Sequence, residues 1–191
     1  MNGLSPMQLQ MISYLFQAKE QQLNDTLGNL KPNDLTDSNF EQTLSRIKKS
    51  ILLTPVTFEE PKILDHRSEE RQMQGNYQNP FSHHRQVITA TVQFPFEGSA
   101  ELFEYMPDGF AFGGSSTRVY QPDYGNSITI DVEVDSLDKE LVLSKARKQM
   151  DTTFSLIKQI NPTAENWSKT KEPQIDSKLK TKKEELDNFY K

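Results

Sequence analysis

Gln86-Val87-Ile88-Thr89-Ala90-Thr91-Val92-Gln93-Phe94-Pro95-Phe96 is the stretch on which the fold turns. Ile88, Ala90, Val92, Phe94 and Phe96 fall on one side of an extended chain, and Thr89, Thr91, Gln93 and Pro95 on the other. Successive strand side chains point to opposite faces, so this alternation predicts one buried face and one wet face. Such a strand belongs to an antiparallel sheet, since strands buried on both faces read as continuous apolar runs. Ser127 to Asp135 repeats the pattern, with Ile128, Ile130, Val132 and Val134 inward. Between the two lie turn signals at Glu97-Gly98-Ser99-Ala100, Pro107-Asp108-Gly109, Gly113-Gly114-Ser115-Ser116 and Pro122-Asp123-Tyr124-Gly125-Asn126. They divide off Glu101 to Met106 and a strand at Thr117 to Gln121. The expectation is a meander of four or five antiparallel strands.

Helical spacing brackets this sheet. Ser5-Pro6-Met7-Gln8 reads as a helix start, with serine as cap, proline at the first helical position and glutamine closing a capping box. Leu9, Ile12, Leu15, Phe16, Leu23 and Leu27 follow at helical intervals, and Gly28 and Pro32 end the run. Ser38-x-x-Glu41 opens a second helix carrying Phe40, Leu44, Ile47 and Ile51 on one face, with Pro55 as its stop. After the sheet, Asp135 or Ser136 is placed to cap a long helix lined by Val142, Ala146, Met150, Phe154 and Ile157. Asn161-Pro162 is expected to break that helix, and Pro173 to kink or restart the next.

Grouped runs of helices and strands, rather than alternation, make this an α+β chain. We expect an antiparallel sheet of four to five strands flanked by an N-terminal helix pair and a long C-terminal helix pair. The division read from the sequence is a helical hairpin over 1–55, a sheet with its packing helix over 56–160, and a charged helical arm over 161–191. Within the second unit, residues 65–84 carry almost nothing to bury, so they are expected to form a long polar surface loop that exchanges and is cleaved quickly.

Composition narrows the function classes. The chain has 191 residues and no cysteine, which excludes disulfides, thiolate chemistry and zinc sites that need cysteine. Its net charge of −5 disfavours generic attraction to nucleic acid or anionic lipid. A mean hydropathy of −0.73 leaves long polar stretches outside any core. No apolar run approaches the ~20 residues of a spanning helix, and Met1 to Pro6 lacks the basic and apolar regions of a leader, so a cytoplasmic location is the default expectation.

Four constellations invite a chemical reading. Asp131, Glu133 and Asp135 share one strand face, as the metal-binding carboxylates of nucleases do, but no placed lysine or fourth acid follows. The plainer reading is the wet face of an amphipathic strand. His66, His83 and His84 are the only histidines; adjacent residues in an extended segment point apart, so the last two do not readily share an ion. The glycine-rich stretch around Phe110, Gly113, Gly114 and Arg118 is the place to look for a small ligand, although it matches no phosphate-loop pattern and serves well as a hairpin connection. Lys169, Lys171, Lys178, Lys180, Lys182 and Lys183 are interrupted by acids at helical spacing, which suits a solvated helix better than a nucleic-acid surface.

The remaining signal is apolar. Trp167, Leu179, Leu186 and Phe189 are spaced too sparsely for a core helix, and they include too many large groups for a purely solvated one. They are expected to anchor a protein partner or a second copy of the chain. From Val92-Gln93-Phe94-Pro95-Phe96-Glu97-Gly98 through Glu101-Leu102-Phe103-Glu104-Tyr105, then the strand Ile128 to Val134 and its helix pair, the layout also has a parallel. It resembles N-terminal regions of bacterial anti-phage or conflict-system proteins, which carry an effector such as a TIR or nuclease domain further on. The resemblance rests on order and spacing over roughly residues 85–190. It carries over no functional residue and implies an accessory, sensing or assembly role. The expected function is a non-catalytic binding or assembly module without a cofactor. The alternatives are a small metal-dependent hydrolase or nuclease using the Asp131 face, and a virion or other structural protein that oligomerises.

Overall fold

The computed structural model describes residues 10–73, 83–108 and 126–190. In chain order the elements are β1 (Gln10–Met11), α1 (Ile12–Gly28), a 3-10 helix (Pro32–Leu35), α2 (Phe40–Ile51), β2 (Thr57–Phe58) and β3 (Lys62–Met73). They continue with β4 (His83–Glu97), a second 3-10 helix (Ala100–Glu104), β5 (Tyr105–Met106), β6 (Ser127–Val134), α3 (Lys139–Thr153) and α4 (Ser155–Phe189). The chain is α+β, as expected.

The alternating stretch Gln86 to Phe96 lies in β4, the centre of the sheet. Thr91 pairs with Asp65 of β3 and also with Asp131 of β6, so these two antiparallel neighbours flank β4 on opposite sides. The two-residue β2 completes the four-stranded antiparallel sheet by pairing with the end of β4 at Phe96 and Glu97. Ala90, Val92, Phe94 and Phe96 are buried on one face together with Ile128, Ile130, Val132 and Val134. Val142, Ala146 and Met150 of α3 and Ile157, Ile160 and Ala164 of α4 cover them in a single cluster. Each large branched side chain removed from water there contributes about 1.5–3 kcal/mol.

A second cluster lies under the other half of α4. Leu23 of α1, Ile47 and Ile51 of α2, and Ile175 and Leu179 of α4 are buried together with Leu30 and Leu35 from the connection between α1 and α2. The N-terminal hairpin therefore covers α4 where the sheet does not reach.

Several local readings are corrected by tertiary context. Residues 65–73 are strand, not loop: they pair with β4 from Asp65↔Thr91 to Met73↔His83. Apolar pattern is silent there because residues 65–71 are exposed on both faces and the strand is held by its backbone ladder. Helix α1 begins at Ile12, because Gln10 and Met11 are drawn into parallel pairing with Tyr105 and Met106. Its first turn is capped from a distance, with the Ser13 amide and hydroxyl donating to Asp108 Oδ1 at 3.3 and 2.9 Å. The expected start at Ser5 and the expected strand at Thr117 to Gln121 lie outside the described residues. Asn39, not Ser38, is the N-cap of α2, which ends at Ile51 before reaching Pro55. Glu101 to Met106 is mostly 3-10 helix. The cap of α3 is Asp138, whose Oδ1 accepts from the amides of Glu140 (2.8 Å) and Leu141 (3.2 Å).

The helix break also moves. It falls at Phe154, whose ring packs edge-on against Phe103 at 5.3 Å, and α4 then runs unbroken through Pro162 and Pro173. Both prolines lie on the exposed side, where water can take the carbonyls that lose their helical donors. Next to Pro162, Asn161 holds the segment leading into the sheet. The Val56 amide donates to Asn161 Oδ1 (2.9 Å), and Asn161 Nδ2 donates to the Val56 carbonyl (2.8 Å). Two turns on, the Ser168 hydroxyl accepts from the Leu53 amide (2.8 Å) and donates to the Leu53 carbonyl (2.9 Å). Two side chains thus treat the extended segment Leu53–Val56 as a neighbouring strand would.

That segment also explains Gly98. Its φ of +108° is a conformation that L side chains rarely adopt, and a Cβ there would stand 2.3 Å from the Pro55 carbonyl oxygen. Gly98→Ala is expected to lower stability by about 1–3 kcal/mol, read as a fall in Tm of several degrees. An unchanged Tm would show that the Pro55 backbone gives way freely.

Candidate functional site

The wet face of the sheet gathers the acids singled out above. The pairing register sets β6 beside β4 and β4 beside β3, so Asp131 and Glu133 lie across from Thr91 and Thr89. Thr91 Oγ1 donates to Asp131 Oδ1 at 2.7 Å, and Arg67 reaches the same carboxylate at 3.9 Å. Arg71 Nη1 pairs with Glu133 at 2.7 Å, and Arg71 also bonds Glu69. Arg85 pairs with Asp135. Hydrogen bonds to Glu133 and then to Glu69 hold the Arg71 guanidinium above its ordinary pKa.

These acids are therefore engaged by guanidinium groups from β4 and, across it, from β3, a poor starting point for binding a divalent cation. Among the described residues, no group of three or more His, Asp or Glu side chains is arranged to hold a metal ion. Exposed pairs of this kind contribute little, about 0–1 kcal/mol each. Millimolar Mg²⁺ or Mn²⁺ is expected to leave Tm unchanged. A rise of several degrees that Asp131→Asn removes would restore the hydrolase reading.

The glycine-rich stretch with Phe110, Gly113, Gly114 and Arg118 lies outside the described residues. Of the histidines, His66 stands on β3 opposite Ala90.

The four apolar residues expected to anchor a partner are separated by the fold. Trp167 stacks on Phe16 with 5.0 Å between ring centroids and 5° between planes, Lys171 Nζ lies 5.9 Å from its ring, and it touches both clusters. Leu179 is 0% exposed, and Leu186 is half-buried against the same helical cluster. A partner was expected to cover these residues, whereas α1 and α2 pack against Trp167, Leu179 and Leu186. Phe189 remains outside at 80% exposure, edge-on to Tyr190 at 67%.

A cleft that the sequence did not reveal opens between β3 and the start of α3. Its volume is about 480 Å³, and Pro61, Ile63, Leu137, Val142 and Leu143 supply its apolar lining, with Lys62, His66 and Lys139 as its polar members. A β-bulge shapes one wall: Ile63 pairs with Val92 and Asp65 with Thr91, so Leu64 is left without a partner and stands 56% exposed. Bulges re-aim side chains in this way. The other wall begins one residue before the α3 cap, where Leu137 and Val142 occupy the two positions of a hydrophobic staple. Leu137 is nonetheless 51% exposed, and Leu141 is exposed too. The apolar run Leu141-Val142-Leu143 is wider than one buried helix stripe, and it was the available signal.

No known protein family matches this chain, and no curated protein or solved structure matches it. Among the described residues, no helix is long and apolar enough to cross a membrane.

Proposed function

We propose that this chain is a non-catalytic binding or assembly module acting through protein–protein contacts. The observation that carries the reading is the cleft beside Leu137, an apolar recess at whose edge Leu137 stays 51% exposed. Exposed apolar surface of this sort marks interaction sites. The pairing of Asp131, Glu133 and Asp135 with arginines supports the same reading, because it occupies the groups that metal-dependent hydrolysis would use. The resemblance in layout to N-terminal regions of anti-phage proteins supports an accessory place in a cytoplasmic bacterial defence system, with this chain assembling and an effector elsewhere.

Sedimentation velocity over a wide concentration range tests the reading. The expected result is a mass that rises with concentration, or a defined complex with a second protein whose formation Leu137→Glu abolishes. A chain that stays monomeric and forms no Leu137-dependent complex would overturn it.

A further inference from the structure

The outer edge of β3 carries an order of charges that is complementary to itself. β3 pairs with β4 on one side, and among the described residues no strand pairs with its other side. Residues 65–71 are exposed on both faces, so no described element overhangs that edge. They read Asp65-His66-Arg67-Ser68-Glu69-Glu70-Arg71. An edge strand presents a row of backbone donors and acceptors to water, a ready template for another strand.

Two copies of this stretch laid antiparallel about Ser68 bring unlike groups together on both sides of it. Arg67 stands opposite Glu69 of the second copy, His66 opposite its Glu70, and Asp65 opposite its Arg71, and symmetry repeats each pair. Directly opposed side chains on one face lie close enough to interact. Opposed side chains must share a face, so a two-fold pairing admits only registers centred on a residue. Centring on Arg67 sets that arginine against itself and Asp65 against Glu69. Centring on Glu69 sets that glutamate against itself and Arg67 against Arg71. Charges on an edge ordinarily discourage pairing. Here the order of their signs discourages the adjacent registers and favours one.

The pairs within one chain leave these groups available. Asp65 Oδ1 accepts from the neighbouring His66 amide at 2.7 Å, and Arg67 approaches Asp131 only at 3.9 Å. Arg71 and Glu69 bind each other, yet their side chains stay 43% and 45% exposed. A guanidinium has five N–H donors, so Arg71 can hold Glu69 and Glu133 and still meet a further carboxylate.

We propose that β3 is a self-association edge, with residues 65–71 pairing antiparallel with the same residues of a second copy about Ser68. The two sheets become one, running β6, β4, β3 and then β3, β4, β6 of the second copy. The contact is isologous and closes as a two-fold dimer. It rests on the assembly reading above and specifies the partner, and its pairing residues do not include Leu137.

Sedimentation velocity on the full chain tests the contact, with circular dichroism to confirm folding. The intact chain is expected to form a dimer that weakens in high salt. Arg67→Glu sets glutamate against Glu69 at both symmetric places, and Glu69→Arg sets arginine against Arg67. Each variant alone should dimerise about tenfold or more weakly. Their equimolar mixture should form a one-to-one dimer, because every opposed pair in it is again unlike. Net charge does not account for that pattern, since the two substitutions shift it in opposite directions. Amide exchange in the intact chain should slow with concentration at alternate residues of 65–71. If the intact chain dimerises and both variants dimerise equally well, or the mixture stays monomeric, the β3 contact is overturned while the assembly reading stands. An intact chain that is monomeric at every concentration overturns the contact, and the assembly reading then rests on a complex with a second protein that Leu137→Glu abolishes.

Discussion

Val132→Asp is expected to prevent folding. Val132 is 3% exposed on the inward face of β6, paired opposite Ala90 and beneath the α3 residues of the sheet cluster. The substitution forfeits the ~1.5–3 kcal/mol from burying a branched side chain. It also places a carboxylate among apolar groups, at an effective cost of several kcal/mol. The buried polar residues among those described, Thr43, Thr89 and Ser127, carry no charge, and Lys145 and Lys148, which share a recess with Val132, are exposed. The sum is comparable to the whole ~5–15 kcal/mol stability of a domain. Glu133→Ala, one residue on and on the wet face, removes only an exposed pair with Arg71 and should change stability by less than about 1 kcal/mol. Thermal melts of both variants check this. A Val132→Asp protein with an unaltered Tm would mean that the inward face of β6 has been assigned the wrong way round.

The Asn161→Ala, Ser168→Ala double variant should show the second-largest loss. Leu53 and Val56 are buried, and each has its amide and carbonyl matched by one α4 side chain. Alanine leaves those backbone groups without partners, at about 1–3 kcal/mol for each unsatisfied group. It also improves helix propensity by about 0.5 kcal/mol per site. The loss wins by several-fold. Expected is a fall in Tm of more than about 5 °C, with amide exchange accelerated at Leu53 and Val56 ahead of the sheet. Asn166→Ala, at an exposed site on the same helix, serves as the control and should fall within about 0.5 kcal/mol of the parent. If protection at Leu53 and Val56 survives in the double variant, the segment is held by something other than α4.

Both experiments probe features of different legibility. Val132 could be placed from sequence alone, because a strand with one wet face writes its orientation into every second residue. The inward set Ile88, Val92, Phe94, Ile130, Val132 and Phe154 does share one cluster, with Ile88 at its edge. Asn161 could not be placed, because a polar side chain on a helix carries no mark of the distant backbone it will bond. The cleft was hidden for a related reason. Leu137, Val142 and Leu143 come from the start of α3, while Ile63 and His66 come from a segment whose pairing partner lies beyond the reach of periodicity.

By itself, the sequence determined the α+β class, the inward faces of β4 and β6, and the apolar stripes of α2 and α3. Each is a repeat at period 2 or 3.6 that burial imposes on neighbouring residues. Only the tertiary structure decided that residues 65–73 are strand, that α4 passes through Pro162 and Pro173, and that Leu179 faces the N-terminal hairpin and not a partner. An edge strand exposed on both faces is held by hydrogen bonds to a neighbour, which leave no apolar pattern. A proline with its ring in solvent weakens a helix locally, and packing on both sides of it outweighs that loss. A sparse apolar stripe states that something must cover it, and the element that does so, here α1 and α2, lies more than 120 residues earlier in the chain.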